Sequence, residues 1–86
     1  MELDDMLKDK ITLDIVKFFH ENQSSIDTPR GIATWIKAEK QKVKKSLDML
    51  VKQGILIDHK APSITGYSYT RDEAIIKKID TKLKEE

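Results

Sequence analysis

Residues 32–56 read IATWIKAEKQKVKKSLDMLVKQGIL. Two helical segments with a break between them are written into this stretch. Ile32, Ala33 and Ile36 recur at the three- and four-residue spacing that places side chains on one helix face. Val43, Leu47 and Leu50 repeat the pattern further along. Gly54 then supplies the left-handed conformation at which helices commonly stop. The second segment, expected from about residue 39 to residue 53, turns nearly all its cations to solvent. With Val43, Leu47 and Leu50 facing the core, about 100° per residue points Gln41, Lys45, Asp48 and Lys52 outward. Lys44 falls on one flank.

Upstream, Thr28 is a good N-cap for the first of these segments and Pro29 a good first helical residue. Leu3, Met6, Leu7, Ile11, Ile15, Phe18 and Phe19 predict helix across the N-terminal third, in one piece or in two with Thr12 capping a fresh start. ENQSS (21–25) has loop composition, and Ile26 suits a single short strand pairing. Downstream the period changes to two. ILIDH (55–59) and GYSYT (66–70) predict strands joined by KAPSIT, with Pro62 in the bend and Tyr67 and Tyr69 on one side. The tail returns to helical spacing through Ile75, Ile76, Ile79 and Leu83. The expected order is helix, short strand, helix, helix, hairpin, helix.

The chain has 86 residues, no cysteine, three glycines and a formal net charge of +1. That length predicts one domain, and the missing thiols exclude a disulfide framework or thiolate metal site. The start MELDD does not read as a signal peptide, and no apolar run approaches a membrane span, so a cytoplasmic protein without a membrane partner is expected. The small net charge conceals an uneven distribution. Residues 1–30 hold four Lys/Arg against seven Asp/Glu, 31–60 hold seven against three, and 61–86 hold five of each. A local excess of that kind produces a field that a polyanion can feel. His20 and His59 stand alone in sequence, and no metal-ligand spacing, nucleophile motif or phosphate loop is present. Catalysis, a metal and a cofactor are therefore not expected.

The skeleton Ile32-Ala33, Ile36, Ala38, Val43, Leu47, Leu50, Gly54 and Ile55-Leu56 resembles the helix-turn-helix of winged-helix transcription regulators, in the broad MarR and ArsR style. That resemblance implies an α+β, mostly helical fold: a three-helix core, a short β-hairpin wing and an added C-terminal helix. The core would span residues 11–70, between a helical extension over 1–10 and a helix over 72–86, within a single domain of 1–86. Two positions depart from the pattern. Lys37 stands where glycine is usual, and Glu39 where serine or threonine caps the next helix. Glutamate caps poorly, although a carboxylate suits the positive end of a helix.

What the resemblance implies for function is double-stranded DNA binding, with the N-terminal half of helix 39–53 in the major groove. Gln41 is then placed for adenine and Lys45 for guanine. Lys40, Lys42 and Lys44 suit phosphates, with Lys52 and Lys60 extending the basic surface. His59, Ser63 and Thr65 would offer wing contacts. Asp48 opposes phosphate unless it pairs with Lys44 or Lys52, or accepts from a cytosine amine. The similar Zα domains use an asparagine and a tyrosine that align with Lys44 and Asp48 here, so left-handed DNA is not the expected target. Two alternatives stay open: a protein adaptor using the basic face against an acidic partner, and RNA binding. The lone tryptophan, Trp35, lies between inward positions, at the core edge or on a partner surface.

Ile75, Ile76, Ile79 and Leu83 form a short apolar seam. A stripe that short must pack on something, either the first helix of its own chain or a second copy. A homodimer through the terminal helices is the expectation. With so little chain outside the skeleton, no small-molecule effector is expected.

Overall fold

Asp9 closes one helix turn and opens the next helix. In the computed structural model, which describes residues 3–85, α1 spans Leu3–Met6 and α2 spans Lys10–Glu21. Met1 and Glu2, the start of the expected 1–10 extension, and Glu86 lie outside the described residues. The N-terminal third is thus two helices, and Asp9 rather than Thr12 is the cap. The Asp9 carboxylate accepts from the Thr12 amide at 3.0 Å and from its hydroxyl at 2.8 Å. These bonds hold its carboxyl below the usual range. Thr12 is buried, with its hydroxyl 3.2 Å from that of Ser46 on a later helix.

After β1, Ile26–Asp27, Thr28 caps α3 (Pro29–Ile36) by accepting from the Gly31 amide at 3.1 Å, and Pro29 occupies the first turn. The break that follows has a definite cause. Lys37 takes the left-handed conformation, φ 58° and ψ 50°, and the amides of Lys37 and Ala38 both reach the Ala33 carbonyl. Glycine is usual in this conformation because it lacks the Cβ that crowds the backbone there. α4 covers Lys40–Lys52, and Glu39 precedes it without making a side-chain cap bond. Gly54, φ 77°, ends it, with the Ile55 amide reaching back to the Leu50 carbonyl at 3.0 Å.

β2 (Leu56–Lys60) and β3 (Thr65–Tyr69) form the hairpin, and β1 pairs on the other side of β3, all antiparallel. Each strand starts one residue away from its expected position. Ile55 belongs to the helix stop instead: it is buried, and its carbonyl accepts from the Thr70 amide. α5 (Glu73–Lys84) is capped by the Asp72 carboxylate.

One hydrophobic core runs through all of this. Ile15, Val16 and Phe19 meet Ile32, Ala33, Val43, Leu47 and Leu50, and Tyr67 and Tyr69 close the sheet side. Met6 and Ile79 also belong to it, so both terminal helices are built into the core rather than appended. That corrects the expected use of Ile79. It is fully buried within its own chain, while Ile75, Ile76 and Leu83 are half-buried against the same core. Within the chain the buried side of the α5 stripe packs against α2, which gives this twelve-residue helix the partner surface it needs to be stable. Two polar ties follow the same route. Lys82 pairs with Asp4 of α1 at 3.0 Å, and His20 of α2 meets Asp80 of α5. His20 does not stand alone.

Candidate nucleic-acid interface

The rotation expected for α4 is the one observed. Val43, Leu47 and Leu50 are fully buried, and Lys40, Gln41, Lys42, Lys44, Lys45, Asp48 and Lys52 are exposed. The tertiary structure divides these residues between two flanks.

On the wing side, Lys40, Gln41 and Lys44 line a groove of about 840 Å³. The hairpin turn, Ala61 to Thr65, and the start of α3, Thr28 to Arg30, complete its lining. Ser63 and Thr65 are thus brought into the site as expected wing residues. Arg30, which the sequence did not single out, is brought there as well. No arginine occurs on α4, and α3 supplies one beside Lys40. The only signal in the sequence was its place in the first turn of the preceding helix, directly after the Thr28–Pro29 cap.

On the other flank, Lys42 and Lys45 border a smaller depression of about 290 Å³ shared with Asp5 and Asp9. Acidic neighbours there oppose a phosphate. Lys52 ends the helix about 18 Å along its axis from Lys40. Lys60 is exposed on β2, 3.8 Å from Asp58, and His59 meets Ser68 across the sheet at 2.7 Å. Neither lines the groove.

Asp48 has two partners. Lys44 donates to its Oδ2 at 2.6 Å, and the buried Tyr67 hydroxyl donates to its Oδ1 at 2.8 Å. The Lys44 ammonium also stands 5.9 Å from the centre of the Tyr67 ring. Burial alone would raise the Asp48 carboxyl, but the bonds from Lys44 and Tyr67 outweigh it and hold it below the usual carboxylate range. The same pairing raises Lys44, and burial followed by the Asp48 bond raises Tyr67. The expected Lys44 pairing is present, and the tyrosine is an addition.

Away from the groove, Trp35 is 69% exposed and meets Phe18 edge-on at 5.9 Å. Among the described residues no cluster of His, Asp or Glu is arranged to hold a metal ion, and no helix is long and apolar enough to cross a membrane.

No protein-family model matches the chain, and no curated protein sequence does. Solved structures do. Reduced HlyU from Vibrio cholerae N16961 superimposes with a TM-score of 0.68 at 14% identity, over 87% of this chain and 78% of that one. A variant of ZitR from Lactococcus lactis gives 0.66 at 21% identity, over 86% of this chain but 51% of its own, so the present chain spans about half its length. Mb0332 from Mycobacterium bovis gives 0.71 at 13% identity, over 95% of this chain and 75% of that one. The last is described as a homodimeric winged helix-turn-helix DNA-binding domain of a possible ArsR-family transcriptional regulator. The fold is the winged helix-turn-helix. In its terms α2, α3 and α4 are the three-helix core, α4 is the second helix of the helix-turn-helix, and β2–β3 is the wing.

Proposed function

We propose that this protein binds double-stranded DNA and acts as a small transcription regulator, with α4 in the major groove. The observation that supports this best is the groove between α4 and the wing. Arg30, Lys40 and the Asp48-bound Lys44 line it together with Ser63 and Thr65, and Arg30, Lys40 and the two hydroxyls suit phosphate oxygens. Gln41, Lys45 and Asp48 then face base edges, while Lys42, Lys52 and Lys60 add weaker phosphate attraction from outside the groove.

Function here is recognition and not catalysis, in the cytoplasm, with no small-molecule effector in the scheme. Two copies would double the reading surface on a palindromic site, and the Mb0332 domain of the same fold is homodimeric. The contact would be made by the half-exposed Ile75, Ile76 and Leu83, within a single domain spanning the chain. A salt titration on mixed-sequence duplex tests the proposal. About three to five neutralised phosphates predict a log–log slope of about −3 to −4.5, and no binding at low salt overturns it.

The exposed Trp35 supports a second reading as a protein adaptor, since large exposed aromatics frequently anchor partners. In that case the duplex titration is flat and a partner protects Trp35 fluorescence from quenching.

A further inference from the structure

Asp48 sits where a DNA reader has least use for a negative charge, yet the fold holds it there. Its two oxygens are gripped from different elements, by Tyr67 of the wing strand and by Lys44 one turn earlier on α4. Tyr67 is 1% exposed, so its hydroxyl cannot swing away, whereas the Asp48 side chain is half exposed. A carboxylate offers about four lone-pair directions, and two are occupied here. With half of the side chain exposed, the remaining acceptor capacity lies on the stripe that also carries Gln41 two turns earlier.

We infer that Asp48 is a base-discriminating residue of α4, a carboxylate fixed by Tyr67 and Lys44 to accept from the exocyclic amine of cytosine in the major groove. The inference rests on the duplex-DNA reading above and adds to it a preferred base. Cytosine offers this edge a donor amine and no neighbouring acceptor, whereas thymine presents the O4 acceptor and a methyl group. A thymine O4 would face the carboxylate lone pairs directly. Adenine places its N7 acceptor beside its amine, and guanine presents acceptors alone. Lys44, already beside Asp48, would be near enough to donate to the O6 acceptor of the paired guanine. Because Lys44 is engaged by Asp48, it contributes less to nonspecific phosphate attraction than an unpaired lysine. The carboxylate thereby trades general affinity for selectivity.

Three proteins separate the possibilities: the native chain, Asp48→Asn and Tyr67→Phe, each confirmed folded by circular dichroism. Each is put through selection from randomised duplexes and a salt titration on mixed duplex. The native protein is expected to prefer C·G over T·A at one position by about 10-fold. Asp48→Asn should lose that preference, bind mixed duplex more tightly and steepen the salt slope by about 0.9 as Lys44 reaches a phosphate. Tyr67→Phe keeps the charge but frees the carboxylate, so it should blunt the preference without changing the slope. Native binding with an unchanged base ranking in Asp48→Asn overturns the role of Asp48 and leaves DNA binding standing. Selection of adenine at the Asp48-dependent position also overturns it. Absence of any salt-dependent binding by the native protein overturns both together.

Discussion

His20 Nε2 and Asp80 Oδ1 lie 2.9 Å apart, which joins the second helix to the last by a polar contact beside the buried Ile79. The other ring nitrogen of His20 lies 3.0 Å from the Tyr69 hydroxyl, whose ionisation burial pushes up to about 12. Asp80 is held below the usual carboxylate range, first by Lys84 and then by His20. A carboxylate with a depressed folded value contributes stability above its unfolded value, about 3.9, and loses it as pH falls through the lower folded value. Asp80→Asn is therefore expected to melt below the native protein at neutral pH, with the gap closing under acid conditions below about pH 4. Thermal melts across pH 2–7 check this, and a gap that persists in acid contradicts it.

Leu47 is fully buried at the centre of α4. Leu47→Ala should cost about 2–5 kcal/mol, as cavity-forming truncations of buried leucines do. Urea denaturation measures it, and native-like stability in this variant would mean that the helix is rotated differently.

Lys37 holds the left-handed corner at φ 58°. A non-glycine residue there carries a steric cost of about 1–2 kcal/mol, partly offset in a glycine variant by the looser unfolded chain. Lys37→Gly should stabilise the protein by about 0.5–1 kcal/mol in the same denaturation assay. A destabilised variant would show that the lysine side chain contributes more than its backbone costs.

Arg30 and Lys52 make a matched pair for the DNA reading, one inside the groove and one outside it. Arg30→Ala should flatten the salt slope by about 0.9, while Lys52→Ala changes it little. Gln41→Ala should relax selectivity at one base position by about 1–3 kcal/mol. Equal slopes for the two charge variants would dissolve the distinction between groove and flank.

Ile79→Asp should unfold the protomer rather than release a folded monomer, since it places a charge where the side chain is fully buried. Association is better tested by Leu83→Asp, which touches only a half-buried position. Sedimentation of the native protein is expected near 20 kDa, twice the 9.9 kDa chain mass, with Leu83→Asp returning to one copy. A native protein sedimenting as a single chain removes the dimer.

Much of the architecture was legible because local chemistry decides it. The Thr28–Pro29 cap, the Gly54 stop and the alternation through Tyr67 and Tyr69 each act within a few residues. Lys37 was conspicuous for the same reason, as a side chain where the turn wants none. What escaped depends on distance. Tyr67 lies 19 residues from Asp48, and nothing in either segment announces the bond. Arg30 reads as an ordinary solvated residue until the wing is folded opposite it. The stripe through Ile79 is ambiguous in principle, because apolar spacing says that a face is covered and not which chain covers it.

The placement of Asp5 and Asp9 beside Lys42 and Lys45 has a kinetic consequence. One flank of α4 carries more net positive charge than the other, where Asp5 and Asp9 compensate Lys42 and Lys45, so the molecule carries a lateral dipole across α4. Near a polyanion such a dipole feels a torque as well as a pull, within the roughly 8–10 Å over which physiological salt leaves charges visible. The protein would be turned wing-first before any contact forms, shortening the orientational search that slows most association. Asp5→Asn with Asp9→Asn would then raise overall attraction while lowering the share of encounters that dock correctly.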